Sequence, residues 1–201
     1  MIGIVDYGMG NLMSVQKALE YVGCPARVVR TAREVAQSDR LVLPGVGAFG
    51  QAMMNLEQRE LLSPLRSACA EGRPLLGICL GLQLLFEASE EHGHHEGLGL
   101  LRGDVRRLPV GLRVPHIGWN QLRITRESAL FDGIPDHAFF YFVQSYYVRP
   151  EDPPLVSGTT DYGMTFPAAV EQENAYGVQF HPEKSQQAGL RLLANFGRIQ
   201  C

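Results

Sequence analysis

The chain has 201 residues, of which 45% are hydrophobic and 19% charged, and its formal net charge is −3. This length favours a single domain, residues 1–201, with a sizeable core, and the composition excludes a disordered chain. The weak negative charge excludes the electrostatic footprint of a nucleic-acid binder, and no basic block points to a membrane surface.

Residues 2–6 form a short apolar run of strand type, with no basic leader segment before it. Tyr7-Gly8-Met9-Gly10-Asn11 turns the chain. Residues 12–22 follow at helical spacing and Gly23 closes them, so Asn11 reads as a helix cap. Residues 26–30 are a second strand candidate, and residues 41–43 are a third, ended by Pro44. Residues 48–58 and 61–71 are helical in pattern. Residues 75–78 give a fourth strand, which runs through Cys79 into another amphipathic helical stretch. Short apolar strands alternating with amphipathic helices indicate βαβ units and a parallel sheet covered on both faces.

The texture changes after residue 90, where Glu91-His92-Gly93-His94-His95-Glu96-Gly97 reads as a polar loop. Residues 105–108, 120–125, 139–148, 155–159 and 168–171 fit extended segments. Residues 176–180 are a further strand and residues 186–199 a closing amphipathic helix. The expected fold class is α/β, a mostly parallel central sheet flanked by helices with an appended antiparallel β section. No apolar run approaches the length of a bilayer span, and the four cysteines, at 24, 69, 79 and 201, lack CxxC spacing. A cytoplasmic protein with reduced thiols is the expectation.

In open α/β sheets ligands sit outside the carboxyl ends of the strands. Cys79 falls at such an end, between Gly77 and Gly81, where a strand gives way to a helix. A sharp turn there holds a side chain out from the sheet, beside the unpaired N–H groups of the helix, and the helix dipole favours thiolate over thiol. The alternative is a buried cysteine that only packs. His181 falls at another strand end, in His181-Pro182-Glu183-Lys184. Proline pushes the preceding histidine into an extended conformation, and residues two apart on an extended segment point the same way. Imidazole and Glu183 carboxylate are thus neighbours, as a base and its orienter are, and Cys79, His181 and Glu183 read together as a nucleophilic triad.

Gly45-Val46-Gly47-Ala48-Phe49-Gly50 matches G-x-G-x-x-G after a strand. A dinucleotide site is disfavoured, because Pro44 interrupts the junction and no strand ending in an acidic residue follows at the right distance. The other reading is an oxyanion hole. Its glycines let a backbone N–H at Val46 or Gly47 approach a developing oxyanion, with the Leu80 N–H, next after the nucleophile, as second donor. His92, His94 and His95 sit in an acidic, glycine-bearing stretch without a second ligand cluster, so neither a metal nor a cofactor is expected. Cys24, Cys69 and Cys201 read as structural or incidental. Trp119, between His116 and Asn120, is either an interface anchor or a residue packed on the core.

Gly77-Ile78-Cys79-Leu80-Gly81-Leu82-Gln83 with His181-Pro182-Glu183 resembles the triad (class I) glutamine amidotransferases. Asp6-Tyr7-Gly8-Met9-Gly10-Asn11, the 44–50 loop, Pro115-His116-Ile117-Gly118-Trp119-Asn120 and Phe180-His181-Pro182-Glu183-Lys184-Ser185 narrow it to the glutaminase subunits of imidazole glycerol phosphate synthases. The resemblance implies glutamine hydrolysis through a Cys79 thioester, with ammonia passed to a partner (β/α)₈-barrel cyclase subunit in histidine biosynthesis. It implies substrate contacts at Gln83, Gly45, Gln144, Ser145 and Tyr146. Positions facing the cyclase would be Asn11, Trp119, Asn120 and Lys184. One departure is Gln144, where this family often carries histidine. Of the rival readings, a cysteine peptidase on the same kind of elbow would act without a partner.

Overall fold

In the computed structural model, which describes residues 1–199, a nine-stranded sheet runs through the molecule in the order β2-β1-β3-β4-β13-β12-β11-β8-β9. Its first half is parallel: β2 (Ala26–Val29), β1 (Ile2–Val5), β3 (Arg40–Gly45), β4 (Leu75–Cys79) and β13 (Ala175–Val178). Antiparallel strands β12 (Thr165–Gln172), β11 (Val156–Asp161), β8 (His116–Ile124) and β9 (Ala138–Gln144) continue it. A second, four-stranded sheet is ordered β10-β7-β5-β6, with β5 Phe86–Ser89, β6 His95–Glu96, β7 Leu101–Arg107 and β10 Tyr146–Pro150.

Alternation along the parallel strands divides the core between the two faces of the large sheet. Ile2, Ile4, Leu76 and Ile78 face one cluster, filled by α1 (Leu12–Tyr21) through Val15 and Leu19 and by α6 (Gln186–Arg198) through Leu192, Leu193 and Phe196. Val5, Leu41, Leu43 and Leu75 face the other. There α2 (Ala32–Ala36), α3 (Phe49–Gln58) and α4 (Leu62–Ala70) pack with Phe86, Leu101 and Val148 of the small sheet. Asn11 caps α1 through its Oδ1, which accepts from the Ser14 N–H at 3.4 Å. No helix of the described residues is long and apolar enough to cross a membrane.

Beyond the unexpected helix α2 and the strand expected over 176–180, which ends at Val178, the structure departs from the sequence reading in four ways that shape the site. Strand β3 does not stop at Pro44 but pairs with β4 to Gly45. Pairing of β3 with β1 has already ended at Val42, so no partner on that side asks for the N–H that proline lacks, and the Pro44 carbonyl is taken by the Tyr7 hydroxyl at 2.9 Å. The helix after Cys79, α5 (Leu80–Leu84), is a five-residue piece buried on all sides rather than an amphipathic run, and the chain returns at once to strand β5. The stretch expected as a polar loop contains β6, paired with β5. The extended run 139–148 is two strands, β9 and β10, in different sheets, with the break at Ser145. Cys201 lies outside the described residues.

Candidate active site

Cys79 ends β4 and opens α5 with φ 55° and ψ −110°. Few non-glycine residues hold positive φ, and such a conformation costs on the order of 1–3 kcal/mol unless the surroundings impose it. Here they do. A Cβ on Gly81 would run into the Leu43 carbonyl, and one on Gly77 would come within 2.6 Å of the Gly81 backbone. The strand and helix thus approach closely enough to force the elbow at the residue between them. Cys79 is buried, yet its sulfur borders a cavity of about 230 Å³.

His181 follows β13, the strand next to β4 in the sheet, and its backbone N–H donates to the Tyr141 carbonyl of β9 at 2.9 Å. Its Nδ1 lies 2.9 Å from Glu183 Oε1, with the two side chains only 5% and 2% exposed. Burial alone would lower the His181 pKa. Hydrogen bonds from the ring to Cys79 and Glu183, and the charges of both, outweigh it and raise the value to about 10. Among the expected triad residues the structure therefore brings all three together. Burial, then the Cys79 charge, pushes the Tyr7 hydroxyl well above its ordinary value.

The cavity is lined by Val46, Gly47, Leu80 and Gln83, by Gln144, Ser145 and Tyr146 across from them, and by Lys184. Gln83 and Gln144 both donate from Nε2 to the Tyr146 carbonyl, at 3.4 and 3.2 Å. Gly45 lies behind the lining, with Tyr7 where its Cβ would stand. Lys184, expected to face the cyclase and the ammonia entrance, borders the cavity, and its Nζ sits 6.0 Å from the centre of the Tyr141 ring. Asn11, Trp119 and Asn120 lie away from the cavity. Trp119 is 46% exposed and edge-on to Tyr141, and Asn120 donates to the Asp161 carbonyl at 2.8 Å. A larger, more open depression of about 840 Å³, near Arg126, Asp132 and Arg198, contains none of the expected residues.

Three residues of the site were not found by reading the sequence. Gln179, fully buried, donates from Nε2 to the Cys79 sulfur at 3.7 Å. Val143 offers its carbonyl to the thiol at 3.6 Å. Glu91 lines the cavity and accepts the Phe49 N–H at 2.6 Å, capping the start of α3. That bond also weighs against a dinucleotide at the G-x-G-x-x-G loop, since a carboxylate already occupies the anion position at this helix start. A side chain that acts across two elements leaves no periodic or local signature; only Gln179, two residues before His181, had a positional hint. Cys24 and Cys69 are free thiols away from the cavity, and the Cys69 sulfur accepts from Asn174 at 3.5 Å.

Comparison with known proteins agrees with this geometry. The family model "Glutamine amidotransferase class-I" matches residues 3–199. The "Imidazole glycerol phosphate synthase subunit HisH" of Moorella thermoacetica is 54% identical, over 98% of this chain and 94% of its own. That of Aquifex aeolicus is 57% identical, over 97% and 95%. A crystal structure of a glutamine amidotransferase superposes with a TM-score of 0.78 at 21% identity, covering 98% of this chain and 99% of that one. PurLQS from Thermotoga maritima gives 0.78 at 18%, covering 97% and 96%. At those identities the two structures show the fold alone. With an elbow cysteine, a buried histidine–carboxylate pair and a whole-length sequence match, this chain belongs to the class-I glutamine amidotransferase family and, within it, to the HisH subunits of imidazole glycerol phosphate synthase.

Proposed function

We propose that the chain hydrolyses glutamine to glutamate and ammonia at Cys79, with His181 and Glu183, and delivers the ammonia to a cyclase partner. The observation that carries this reading is the strained elbow cysteine at the end of β4 beside a buried His181–Glu183 pair on the adjoining strand end. A histidine with its pKa raised to about 10 keeps its proton at neutral pH and is placed to give it to the departing nitrogen.

Attack by the sulfur on the carboxamide carbon forms the carbon–sulfur bond and places charge on the former carbonyl oxygen. The Leu80 N–H, at the unpaired start of α5, and a backbone N–H of the Val46–Gly47 loop are the donors for that oxyanion. Imidazolium gives its proton to the departing nitrogen, the carbon–nitrogen bond breaks and ammonia leaves behind a γ-glutamyl thioester. Neutral His181 then takes a proton from water as the water oxygen attacks the thioester carbonyl. Collapse of the second tetrahedral species expels the Cys79 thiolate and frees glutamate, restoring the starting pair. Glu183 holds the imidazole tautomer and steadies its cation throughout. A cavity of about 230 Å³ suits one amino acid rather than an extended peptide, which favours this reading over a cysteine peptidase.

Val46 is 45% exposed, and Gly47, at φ 100°, sits beside it in the open loop at the cavity mouth. A partner seated over this loop would complete the oxyanion hole. Glutamine turnover by the isolated chain is therefore expected to be slow, and to rise on the order of 10²–10³-fold with the barrel partner and its nucleotide, the usual worth of one oxyanion donor. Cys79→Ala should abolish turnover in both settings. Full activity of the isolated chain would refute the incomplete oxyanion hole, and turnover surviving in Cys79→Ala would refute the nucleophile.

A further inference from the structure

Gln179 lies one residue beyond β13, fully buried, between Cys79 and Gln83. Its Oε1 accepts from Gln83 Nε2 at 3.1 Å, and its Nε2 reaches the Cys79 sulfur at 3.7 Å. What holds Gln83 fixes the direction of this amide. The Tyr146 backbone carbonyl can only accept, so Gln83 turns its NH₂ toward it and toward Gln179. Gln179 must then present its oxygen to Gln83, which leaves its own NH₂ for the sulfur.

This contact bears on which form of the sulfur is favoured. As a thiol, Cys79 can donate to the Val143 carbonyl at 3.6 Å. As a thiolate it has no proton to give, and the same carbonyl dipole opposes the charge. A donor aimed at the sulfur reverses that balance, because an N–H bonds far more strongly to an anion than to a neutral thiol. Gln179 and His181, both just beyond β13, are placed to supply such donors. We propose that Gln179 is a positioning residue for the nucleophile: its amide, clamped by Gln83, donates to the Cys79 sulfur and favours the thiolate. The proposal rests on Cys79 being the nucleophile. It adds a link by which Gln83, at the cavity wall, is joined to the sulfur through one amide.

The charged and titratable groups around this sulfur are His181 with Glu183, Tyr7 from beyond β1, and Lys184 and Glu91 bordering the same cavity. Gln179→Met leaves each of them unchanged, and Gln179→Glu adds one carboxylate beside them. The test is the pH dependence of Cys79 alkylation by iodoacetamide, followed in the full-length chain by mass spectrometry of the Cys79 peptide. In Gln179→Met, the midpoint of the profile should move up by about one pH unit, the worth of one hydrogen bond to a charged group. Gln179→Glu keeps an oxygen for Gln83 but turns an acceptor on the sulfur, so its midpoint should move further in the same direction. A profile superposing on the wild type in either folded variant overturns the proposal. Failure of both variants to fold would make the amide a packing element and overturn it as well. Because the readout needs no glutamine, a chain inactive toward glutamine would refute the function proposed above and leave this result standing.

Discussion

His181 holds its proton through neutral pH because two acceptors, Cys79 and Glu183, outweigh the burial that would otherwise strip it. Its folded pKa, about 10, lies above its ordinary 6.5. The stability it contributes is therefore complete below about pH 6.5 and is lost as the pH rises toward 10. Chemical denaturation of wild type and His181→Asn at both ends of that window should show the deficit of the variant shrinking at high pH. An equal deficit at both ends would show that His181 is not protonated by its neighbours. Glu183→Gln should lower kcat for glutamine by about 10²–10⁴-fold, as expected when a base loses the carboxylate that fixes its tautomer. Cys79, His181 and Glu183 were legible in the sequence because each announces itself locally, by flanking glycines or by a proline that fixes its neighbour. Gln179 and Glu91 were not, because what they do is set by contacts to residues far along the chain.

At the scale of elements, the elbow depends on how closely α5 rides over β3. Gly81→Ala would push a methyl group into the Leu43 carbonyl, in a junction with no free space. A loss of about 1–3 kcal/mol or more is expected from such overpacking, read as a fall in the denaturant midpoint with an unchanged slope. Gly72→Ala is a useful contrast, since a Cβ there meets nothing within 4 Å and only its φ of 84° opposes the change. Alternating strands and helices up to β4 could be read from periodicity, except the five-residue α2. The helix after Cys79 was read as a helix, but its shortness and burial all round were not, because a continuous apolar run carries no signal for where the helix stops. Nor was the break at Ser145, where only Gln144-Ser145 interrupts the apolar run from β9 into β10 while the backbone changes sheets.

Taken whole, the molecule exposes a row of large apolar side chains, Ile117, Trp119 and Phe139, on the β8–β9 hairpin, at the edge of the large sheet. An exposed sheet face with such a row is a natural place for a partner to sit. Trp119 is the chain's single tryptophan, so its emission reports on that surface alone. A blue shift is expected on adding the partner subunit, and Trp119→Ala should weaken the complex by about 10–100-fold while leaving the Cys79 alkylation rate unchanged. Emission unaffected by the partner would place the contact elsewhere. The alternation of strand and helical patterns pointed to the broad fold class and Trp119 was read as an anchor or a core residue, but the row it stands in was not legible, because Ile117, Trp119 and Phe139 line up only through the pairing of β8 with β9.

The seam at Ser145 sets how this protein would fail. Its nucleophile stands on the large sheet, but the Tyr146 carbonyl that steadies Gln83 and Gln144 belongs to the small one. Loosening the small sheet, which Asp104 ties together through Arg106 and Arg149, would unfasten the wall that holds a ligand and leave the elbow intact. Mild heat or denaturant would then yield a chain blind to its substrate and still armed.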